Sequence, residues 1–143
     1  GLRYIIHEAG EEGTKPAKGD QVSVHYYGML DADAKMFDTS FKAGQPYQFP
    51  LGMGQVIPGW DEGIMLLNKG AKATLFIPAS LGYGAAGSPP VIPETADLIF
   101  YVELEQSISW RGALAPSHFK SIIMTVDQFT DLKTRVGVLG RYL

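Results

Sequence analysis

The stretch QVIPGWDEGI, residues 55–64, contains both the Pro-Gly pair and the charge pattern that are typical of a helix start. A Pro-Gly pair stands directly before Trp60, and two acidic residues follow it, where the first turn of a helix favours negative charge. Gly70 matches the glycine that commonly follows a helix C-terminus. We therefore predict a short helix from about residue 59 to residue 68, with the largest apolar side chain at its beginning.

Segments of alternating apolar and polar residues lie on both sides of this helix, which is the pattern of strands with one buried face. The clearest strands are residues 2–8, 21–30, 71–78 and 97–105, and a shorter apolar piece lies at 47–51. Five or six strands with one short helix predict an α+β fold, in which an antiparallel sheet wraps around the helix.

The composition is that of a globular protein, since 45% of the 143 residues are hydrophobic and 19% are charged. No apolar run approaches the ~20 residues that span a bilayer, and a net charge of −3 argues against nucleic-acid binding. The absence of cysteine excludes disulfides and thiolate metal sites and leaves the compartment open. The chain shows no signal peptide, but because it starts at Gly1 rather than Met, we expect a processed or excised piece.

Charge and pattern both change near Gln106. Residues 1–106 carry 7 basic and 13 acidic residues, a net charge of −6, whereas residues 107–143 carry 5 basic and 2 acidic residues, a net charge of +3. We therefore predict a domain at 1–106 and a C-terminal extension at 107–143. The extension begins irregularly, and apolar residues then recur at helical spacing after a capping Ser117. They are Phe119, Ile122, Ile123, Val126, Phe129, Leu132 and Val136.

The predicted helix at 117–136 therefore has an apolar stripe with more than one use. An exposed stripe would be an adhesive surface for unfolded client proteins, as in a chaperone. The helix can instead dock on its own domain or on a second copy of the chain, and we rank docking above client binding.

Residues that could break and form covalent bonds are few. His7 and His25 lie in predicted strands and His118 lies in the extension. None of them shares a short helical spacing with a carboxylate, so no metal site is predicted. No serine lies in a G-x-S-x-G motif. The adjacent Asp61 and Glu62 fit the helix N-terminus better than an acid–base pair.

The segment GYGAAG, residues 82–87, matches the glycine pattern of dinucleotide sites. In those sites a helix begins at the glycines and its N-terminus holds the pyrophosphate. Here Pro89 and Pro90 follow at once, and each proline inside a helix costs ~3 kcal/mol or more. We therefore reject a nucleotide site and predict no cofactor. Residues 82–93 are interpreted as a long loop whose apolar side chains either pin it to the core or line the rim of a pocket.

Aromatic and branched apolar residues are frequent at turns and element edges. Each alone is better explained as core, but too many adjoin Gly and Pro breaks for all to be interior. Together they predict an apolar cavity of the kind that binds small ligands. Asp38 is the one acid that we expect to be partly buried, as a hydrogen-bond partner for a tyrosine. The apolar residues are Tyr26, Phe37, Tyr47, Phe49, Val56, Ile57, Trp60, Tyr83, Val91, Ile92 and Phe100.

Four motifs in consistent register from Leu2 to Glu105 resemble the FKBP family, the macrolide-binding peptidyl-prolyl isomerases. They are VHYYGML, KMFDTS, LGMGQVIPGWDEGI, and GYGAAGSPPVIP followed by ADLIFYVEL. The resemblance implies a five- to six-stranded antiparallel half-barrel wrapped on one short helix. It also implies that the protein isomerises X-Pro bonds between cis and trans in a water-poor aromatic pocket. This reaction assists protein folding and needs no cofactor.

The resemblance further implies roles for individual residues. Trp60 would be the floor of the proline pocket, which accounts for a tryptophan at the helix start. The backbone N–H of Ile57 and the hydroxyl of Tyr83 would donate hydrogen bonds to ligand carbonyls, and Asp38 would fix Tyr26 or meet a ligand hydroxyl. The walls would be Tyr26, Phe37, Tyr47, Phe49, Val56, Ile57 and Phe100, with Tyr83, Val91 and Ile92 at the rim.

The expected partners are proline-containing peptides, unfolded protein clients and macrolide inhibitors, with self-association through residues 117–136 as a further option. A non-catalytic peptide-binding, ligand-binding or chaperone module on the same scaffold is the alternative function. The nearly complete set of wall motifs favours the enzyme.

Overall fold

The computed structural model describes residues 1–109. Its elements are β1 (Arg3–Glu8), β2 (Gln21–Leu30), β3 (Met36–Thr39), β4 (Tyr47–Pro50), α1 (Pro58–Ile64), β5 (Lys72–Ile77) and β6 (Leu98–Ile108), with short 3₁₀ turns at Phe41–Ala43 and Ala79–Leu81. All six strands form one antiparallel sheet in the order β1-β5-β6-β2-β3, and β4 pairs with β2. The predicted α+β fold is confirmed, whereas the predicted extension helix at 117–136 lies outside the described residues.

Strand β2 is the centre of the sheet. Strand β6 pairs along its whole length, while β4 and β3 share the other edge. Alternate side chains of β2 point into the core, and Val22, Val24 and Tyr26 are fully buried. Because directly paired residues point to the same face of a sheet, this register brings core side chains from β2, β6 and β4 together opposite the helix.

Helix α1 begins where the sequence predicts. Ile57 has the extended backbone conformation that a residue before proline prefers, with φ −58° and ψ 147°, and Pro58 occupies the first helical position, where no N–H is needed. The predicted end at residue 68 is wrong, because the chain tightens after Ile64. The Leu66 and Leu67 N–H groups bond to carbonyls three residues back, which turns the fully buried Leu67 into the core. Within the described residues, no helix has the length and hydropathy needed to cross a membrane.

Two glycines let α1 lie unusually close to the sheet. A Cβ at Gly59 would stand 2.6 Å from Cγ2 of Ile77, and one at Gly63 would stand 2.8 Å from Cδ1 of Leu75. Both neighbours are on β5, so the helix packs directly on that strand. This close approach sets the depth at which the helix holds its side chains, including Trp60.

Strand β1 differs from its prediction. An alternating pattern predicts one buried face, but all six residues from Arg3 to Glu8 are exposed. Tyr4 and Ile6 pair with Leu75 and Ala73 and so stand on the core side of the sheet, yet 46% and 44% of their surface is exposed. The reason is position: β1 is the edge strand, and α1 packs on its neighbour β5.

The outer face of the sheet carries a polar network around Tyr101. Its hydroxyl donates a hydrogen bond of 2.6 Å to Oε1 of Glu103, and its ring stacks on Tyr27 at a centroid distance of 5.2 Å. Nζ of Lys72 stands 3.9 Å from the same carboxylate oxygen. Burial, followed by the hydrogen bond to Glu103, raises the pKa of Tyr101 from 10.0 to about 12.

Replacing Tyr101 with phenylalanine is expected to flatten the loss of stability at high pH. Because the folded-state pKa is above the unfolded value, the contribution of Tyr101 is complete below pH 10 and falls as pH rises through about 12. Unfolding midpoints of the wild type and Tyr101→Phe between pH 9 and about 12 check this. Glu103→Gln should move the ultraviolet tyrosinate transition of Tyr101 toward its ordinary pKa. The assignment is wrong if the wild type and Tyr101→Phe lose stability in parallel.

Candidate active site

The indole of Trp60 is the centre of an aromatic cluster between α1 and the sheet. Tyr26 and Phe100 stand edge-on to it, at ring-centroid distances of 4.9 and 5.4 Å and interplanar angles of 83° and 88°. Phe49 lies 5.7 Å away and is tilted by 51°. Edge-to-face contacts of this kind stabilise aromatic pairs beyond their burial. Three strands, β2, β4 and β6, therefore hold rings around one helix residue.

The cluster extends by one ring in two directions. Phe37 on β3 stands edge-on to Phe100 at 5.6 Å, and Tyr47 stacks on Phe49 at 5.4 Å along β4. The first of these contacts depends on Gly28, because a Cβ there would lie 2.5 Å from Cε1 of Phe100 and 2.9 Å from Cζ of Phe37. The sequence motifs did not reveal this role, although a glycine inside a strand is a signal for close approach.

Asp38 and Tyr26 are joined across neighbouring strands. The Tyr26 hydroxyl donates a hydrogen bond of 2.7 Å to Oδ2 of Asp38, which is the pairing expected from the sequence. The other oxygen, Oδ1, accepts from the backbone N–H of Thr39 at 2.8 Å. Bonds to a carboxylate are stronger than bonds between neutral groups, so this pair holds the Tyr26 ring in a fixed orientation against the indole.

Asp61 has a role that the sequence did not reveal. Its two carboxylate oxygens accept hydrogen bonds from the backbone N–H groups of Gly52, at 2.8 Å, and Gly54, at 3.0 Å. The helix-terminus role predicted for it is therefore incomplete, because the carboxylate also ties the preceding loop to the helix. That loop leads into Val56 and Ile57, whose side chains are buried in the cluster.

Asp61→Asn is expected to lower the free energy of unfolding by about 1–2 kcal/mol, because an amide cannot accept both loop N–H groups. Chemical denaturation measures this effect. Glu62→Gln is the matched control, since Glu62 is the exposed neighbour and should change stability by less than about 0.5 kcal/mol. Equal effects of the two substitutions would contradict the role of Asp61.

Ile57 presents a backbone donor beside the cluster. Its carbonyl accepts the Trp60 N–H at 2.9 Å, but no described residue accepts a hydrogen bond from its own N–H. Within residues 1–109, the buried indole Nε1 of Trp60 likewise has no acceptor. A backbone donor that is available at the edge of an apolar cluster fits the carbonyl oxygen of a peptide.

The glycine-rich loop closes one side of the cluster. No helix begins within residues 82–87. Ser88 and Ile92 form a bridge with two backbone hydrogen bonds, of 2.8 and 3.0 Å, around a cis Pro89–Pro90 bond. Ile92 is fully buried, whereas Tyr83 and Val91 are partly buried and pack against the core.

The structure brings the sequence-predicted apolar site residues into one hydrophobic cluster, and Asp38 joins it through Tyr26. Eight of them are exposed by 6% or less, so they are more deeply buried than the walls of an open cavity. The eight are Tyr26, Tyr47, Phe49, Val56, Ile57, Trp60, Ile92 and Phe100. Phe37, Tyr83 and Val91 are partly buried against the same cluster.

The described histidines have structural partners. His7 is 2.7 Å from Oγ1 of Thr74, and Nδ1 of His25 is 2.9 Å from Oγ of Ser40 while its ring stacks on Phe41. Across residues 1–109 there is no group of three or more His, Cys, Asp or Glu side chains that could hold a metal ion.

Comparison with known proteins agrees with this architecture. The family model described as "FKBP-type peptidyl-prolyl cis-trans isomerase" matches residues 12–105. Similar relatives include FKBP15-2 of Arabidopsis thaliana, 55% identical over 87 residues that make up 61% of this chain and 53% of that protein. FK506-binding protein 1A of Aspergillus fumigatus is 51% identical over 104 residues, 73% of this chain and 92% of that protein.

Among solved structures, FkpA from Escherichia coli superposes with a TM-score of 0.68 and 46% identity, over 75% of this chain and 48% of that one. The chain spans about half the length of several of the curated relatives that it matches. The match nevertheless includes strands β2 to β5, helix α1 and most of strand β6. By the extent of the family match and the identity to its relatives, the chain belongs to the FKBP-type peptidyl-prolyl cis-trans isomerase family.

Proposed function

We propose that this chain catalyses the cis–trans isomerisation of the peptide bond before proline in peptides and unfolded proteins. The observation that supports this best is the ring cluster around Trp60, in which Tyr26 and Phe100 frame the indole edge-on. An indole face bordered by ring edges is a flat apolar surface on which a prolyl ring can pack. Membership of the isomerase family supports the same activity.

The reaction needs no nucleophile or metal, because no covalent bond breaks. The barrier to rotation is ~18–20 kcal/mol and arises from amide resonance, which places negative charge on the carbonyl oxygen. The twisted amide has lost that resonance and is less polar, so a site without water disfavours the planar ground state relative to the twisted one. Each ~1.4 kcal/mol removed from the barrier accelerates the reaction about tenfold.

Two donors are suited to orient the substrate. The Ile57 N–H, for which no described residue is a hydrogen-bond acceptor, would donate a hydrogen bond to a substrate carbonyl next to the prolyl ring. The hydroxyl of Tyr83, on the loop that closes the site, would bond to a second carbonyl. These bonds fix the flanking peptide while the amide turns, and they are worth about 1 kcal/mol each.

Asp38 would act as a positioning residue in this scheme. Its 2.7 Å hydrogen bond from the Tyr26 hydroxyl fixes a ring that stands 4.9 Å from the indole. Without this bond the Tyr26 ring, which would face the prolyl ring, would be held less firmly. A site that binds the twisted amide better than the planar one through its shape needs walls in fixed positions. The remaining wall residues would be Phe37, Tyr47, Phe49, Val56, Val91, Ile92 and Phe100.

The test is isomerisation of a short X-Pro peptide by the full chain. Uncatalysed exchange takes tens to hundreds of seconds at 25 °C, which gives a clear baseline. Acceleration in proportion to protein concentration, abolished by a macrolide inhibitor, would support the proposal. Macrolide binding without acceleration would replace it with the alternative, a non-catalytic binding module.

A further inference from the structure

Strand β1 is an open edge of the sheet. It pairs with β5 on one side, and within residues 1–109 no strand pairs with its other side. Its central residues Tyr4, Ile5 and Ile6 are exposed by 46%, 52% and 44%. The open side of an edge strand presents a row of backbone N–H and C=O groups with which another strand can pair. A further strand can therefore extend the sheet at this edge.

The features that keep the edges of a sheet from pairing are confined to the two ends of β1. Charged side chains, prolines, bulges and short strands are the usual ones. The strand RYIIHE contains no lysine or proline, and it has Arg3 at one end and Glu8 at the other. The shift in its pairing with β5 lies between Ile6 and Glu8. The opposite edge of the sheet is better protected, because β3 has only four residues and also shifts register against β2.

The middle of β1 is complementary to itself in antiparallel pairing. When two copies pair about a two-fold axis at Ile5, the two Ile5 residues lie opposite each other, and Tyr4 of each copy lies opposite Ile6 of the other. Opposite residues point to the same face of a sheet, and contacts between aromatic and β-branched side chains stabilise the pairing. Tyr4 and Ile6 meet this condition, because they pair with Leu75 and Ala73 and so share the core face. The apolar residues of this edge can therefore pack against those of a second copy.

The charges at the two ends of β1 favour the same pairing. The guanidinium carbon of Arg3 lies 5.9 Å from the ring centroid of Phe76, and Oε1 of Glu8 lies 3.6 Å from Nζ of Lys72, so both charged side chains are on the outer face of β5. In a regular strand, residues five positions apart point to opposite faces. The bulge near the end of β1 brings Arg3 and Glu8 to one face. Antiparallel pairing then places Arg3 of each copy beside Glu8 of the other, which makes two ion pairs of opposite charge.

We propose that the open edge of β1 binds the same edge of a second copy of this chain, antiparallel about Ile5, and so joins two sheets into one. The interface is isologous, as in most two-fold dimers, because each copy contributes the same strand. The proposal is independent of the proposed function, since β1 lies outside the candidate site and before the family match, which begins at residue 12. Two six-residue strands bury less area than the about 1,200 Å² of a stable interface, so the dimer is reversible and depends on concentration.

Sedimentation of the full chain over a range of concentrations tests the dimer. Ile5→Lys places two like charges opposite each other at the axis, and it should raise the dissociation constant of the dimer about tenfold or more. Met36→Lys is the matched control, because it makes the same kind of change at an exposed residue of β3, on the opposite edge, and should leave the constant unchanged. A wild type that stays monomeric at every concentration would overturn the proposal. Equal association of Ile5→Lys and the wild type would overturn it too, and would assign the contact to another part of the chain.

Charge reversal tests the register of the pairing. Arg3→Glu gives a strand with acids at both ends, and Glu8→Arg gives a strand with bases at both ends, so each variant alone should dimerise about tenfold more weakly than the wild type. An equimolar mixture of the two should associate again, because every contact between the two different copies then joins opposite charges. The double variant Arg3→Glu/Glu8→Arg should also associate like the wild type. If neither the mixture nor the double variant recovers association, the proposed pairing is wrong.

Hydrogen exchange shows whether a second copy is what covers β1. The backbone N–H groups on the open side of the strand should exchange quickly in dilute protein and more slowly as the dimer forms. In Ile5→Lys their exchange should stay fast at concentrations where the wild type is dimeric. Slow exchange that does not depend on concentration would show that another segment of the same chain covers the edge, and it would overturn the proposal.

Discussion

Trp60→Ala is expected to reduce kcat/KM for an X-Pro peptide by about a hundredfold or more, equivalent to about 2.7 kcal/mol of transition-state stabilisation. The indole contacts three rings from three strands, and its loss removes the apolar floor on which the prolyl ring packs. The same substitution should lower the free energy of unfolding by about 3–5 kcal/mol, since the side chain is completely buried. Denaturation and peptide kinetics on one preparation measure both losses.

A control must separate the pocket from general stability. Leu67 is also 0% exposed but follows α1 at the opposite end from Trp60, so Leu67→Ala should cost about 2–5 kcal/mol of stability with little change in kcat/KM below its unfolding transition. Trp60→Phe keeps an aromatic floor and should lose less activity than Trp60→Ala. If Leu67→Ala reduces activity as much as Trp60→Ala, the indole acts only through stability.

The sequence was sufficient for the elements whose limits are set locally. Strand β2 runs from Gln21 to Leu30 as predicted, because Gly19 and Asp20 precede it and a polar turn follows it. Helix α1 starts as predicted because Pro58 and the acids after Trp60 act within one turn. Its end was placed four residues too late, since the tighter hydrogen bonds after Ile64 serve the burial of Leu67, which is a tertiary effect.

The site residues that belong to recognisable sequence motifs could be predicted. The contacts that depend on which residues pair across neighbouring strands could not. The aromatic set around Trp60 and the Tyr26–Asp38 pair followed from residue type and resemblance. The contact of Gly28 with Phe100 requires knowledge of which residues face each other across β2 and β6. The hydrogen bonds that the Gly52 and Gly54 N–H groups donate to Asp61 link residues nine and seven positions apart, across a loop that has no periodic pattern.

The exposure of β1 illustrates the same limit. Its alternating residues predict a buried face, and pairing does place Tyr4 and Ile6 on the core side. Burial, however, requires a covering element, and α1 packs on β5 through Gly59 and Gly63. A seven-residue helix about 10 Å long cannot also cover the edge strand. The alternation of apolar and polar residues therefore predicts to which face of the sheet a side chain points, but not whether that side chain is buried.

Asp38→Val is expected to reduce kcat/KM about tenfold, because it removes the acceptor that orients the Tyr26 ring. The loss should appear mainly in kcat, since the apolar surface that binds the prolyl ring remains while its alignment for the twisted amide is lost. Stability should fall by about 1–3 kcal/mol as the Tyr26 hydroxyl loses this bond in a buried position. Asp38→Asn keeps one oxygen acceptor and should retain more activity.

A double-mutant cycle distinguishes positioning from direct contact with substrate. Tyr26→Phe removes the donor of the 2.7 Å bond but keeps the ring. If Asp38 acts through Tyr26, the effect of Asp38→Val on kcat should largely disappear in the Tyr26→Phe background, because the interaction has already been removed. If Asp38 instead meets the ligand, the tenfold loss should persist there unchanged. We expect the effect to disappear, because the hydroxyl of the fully buried Tyr26 already donates to Asp38 in the absence of a ligand and so fixes a wall of the site.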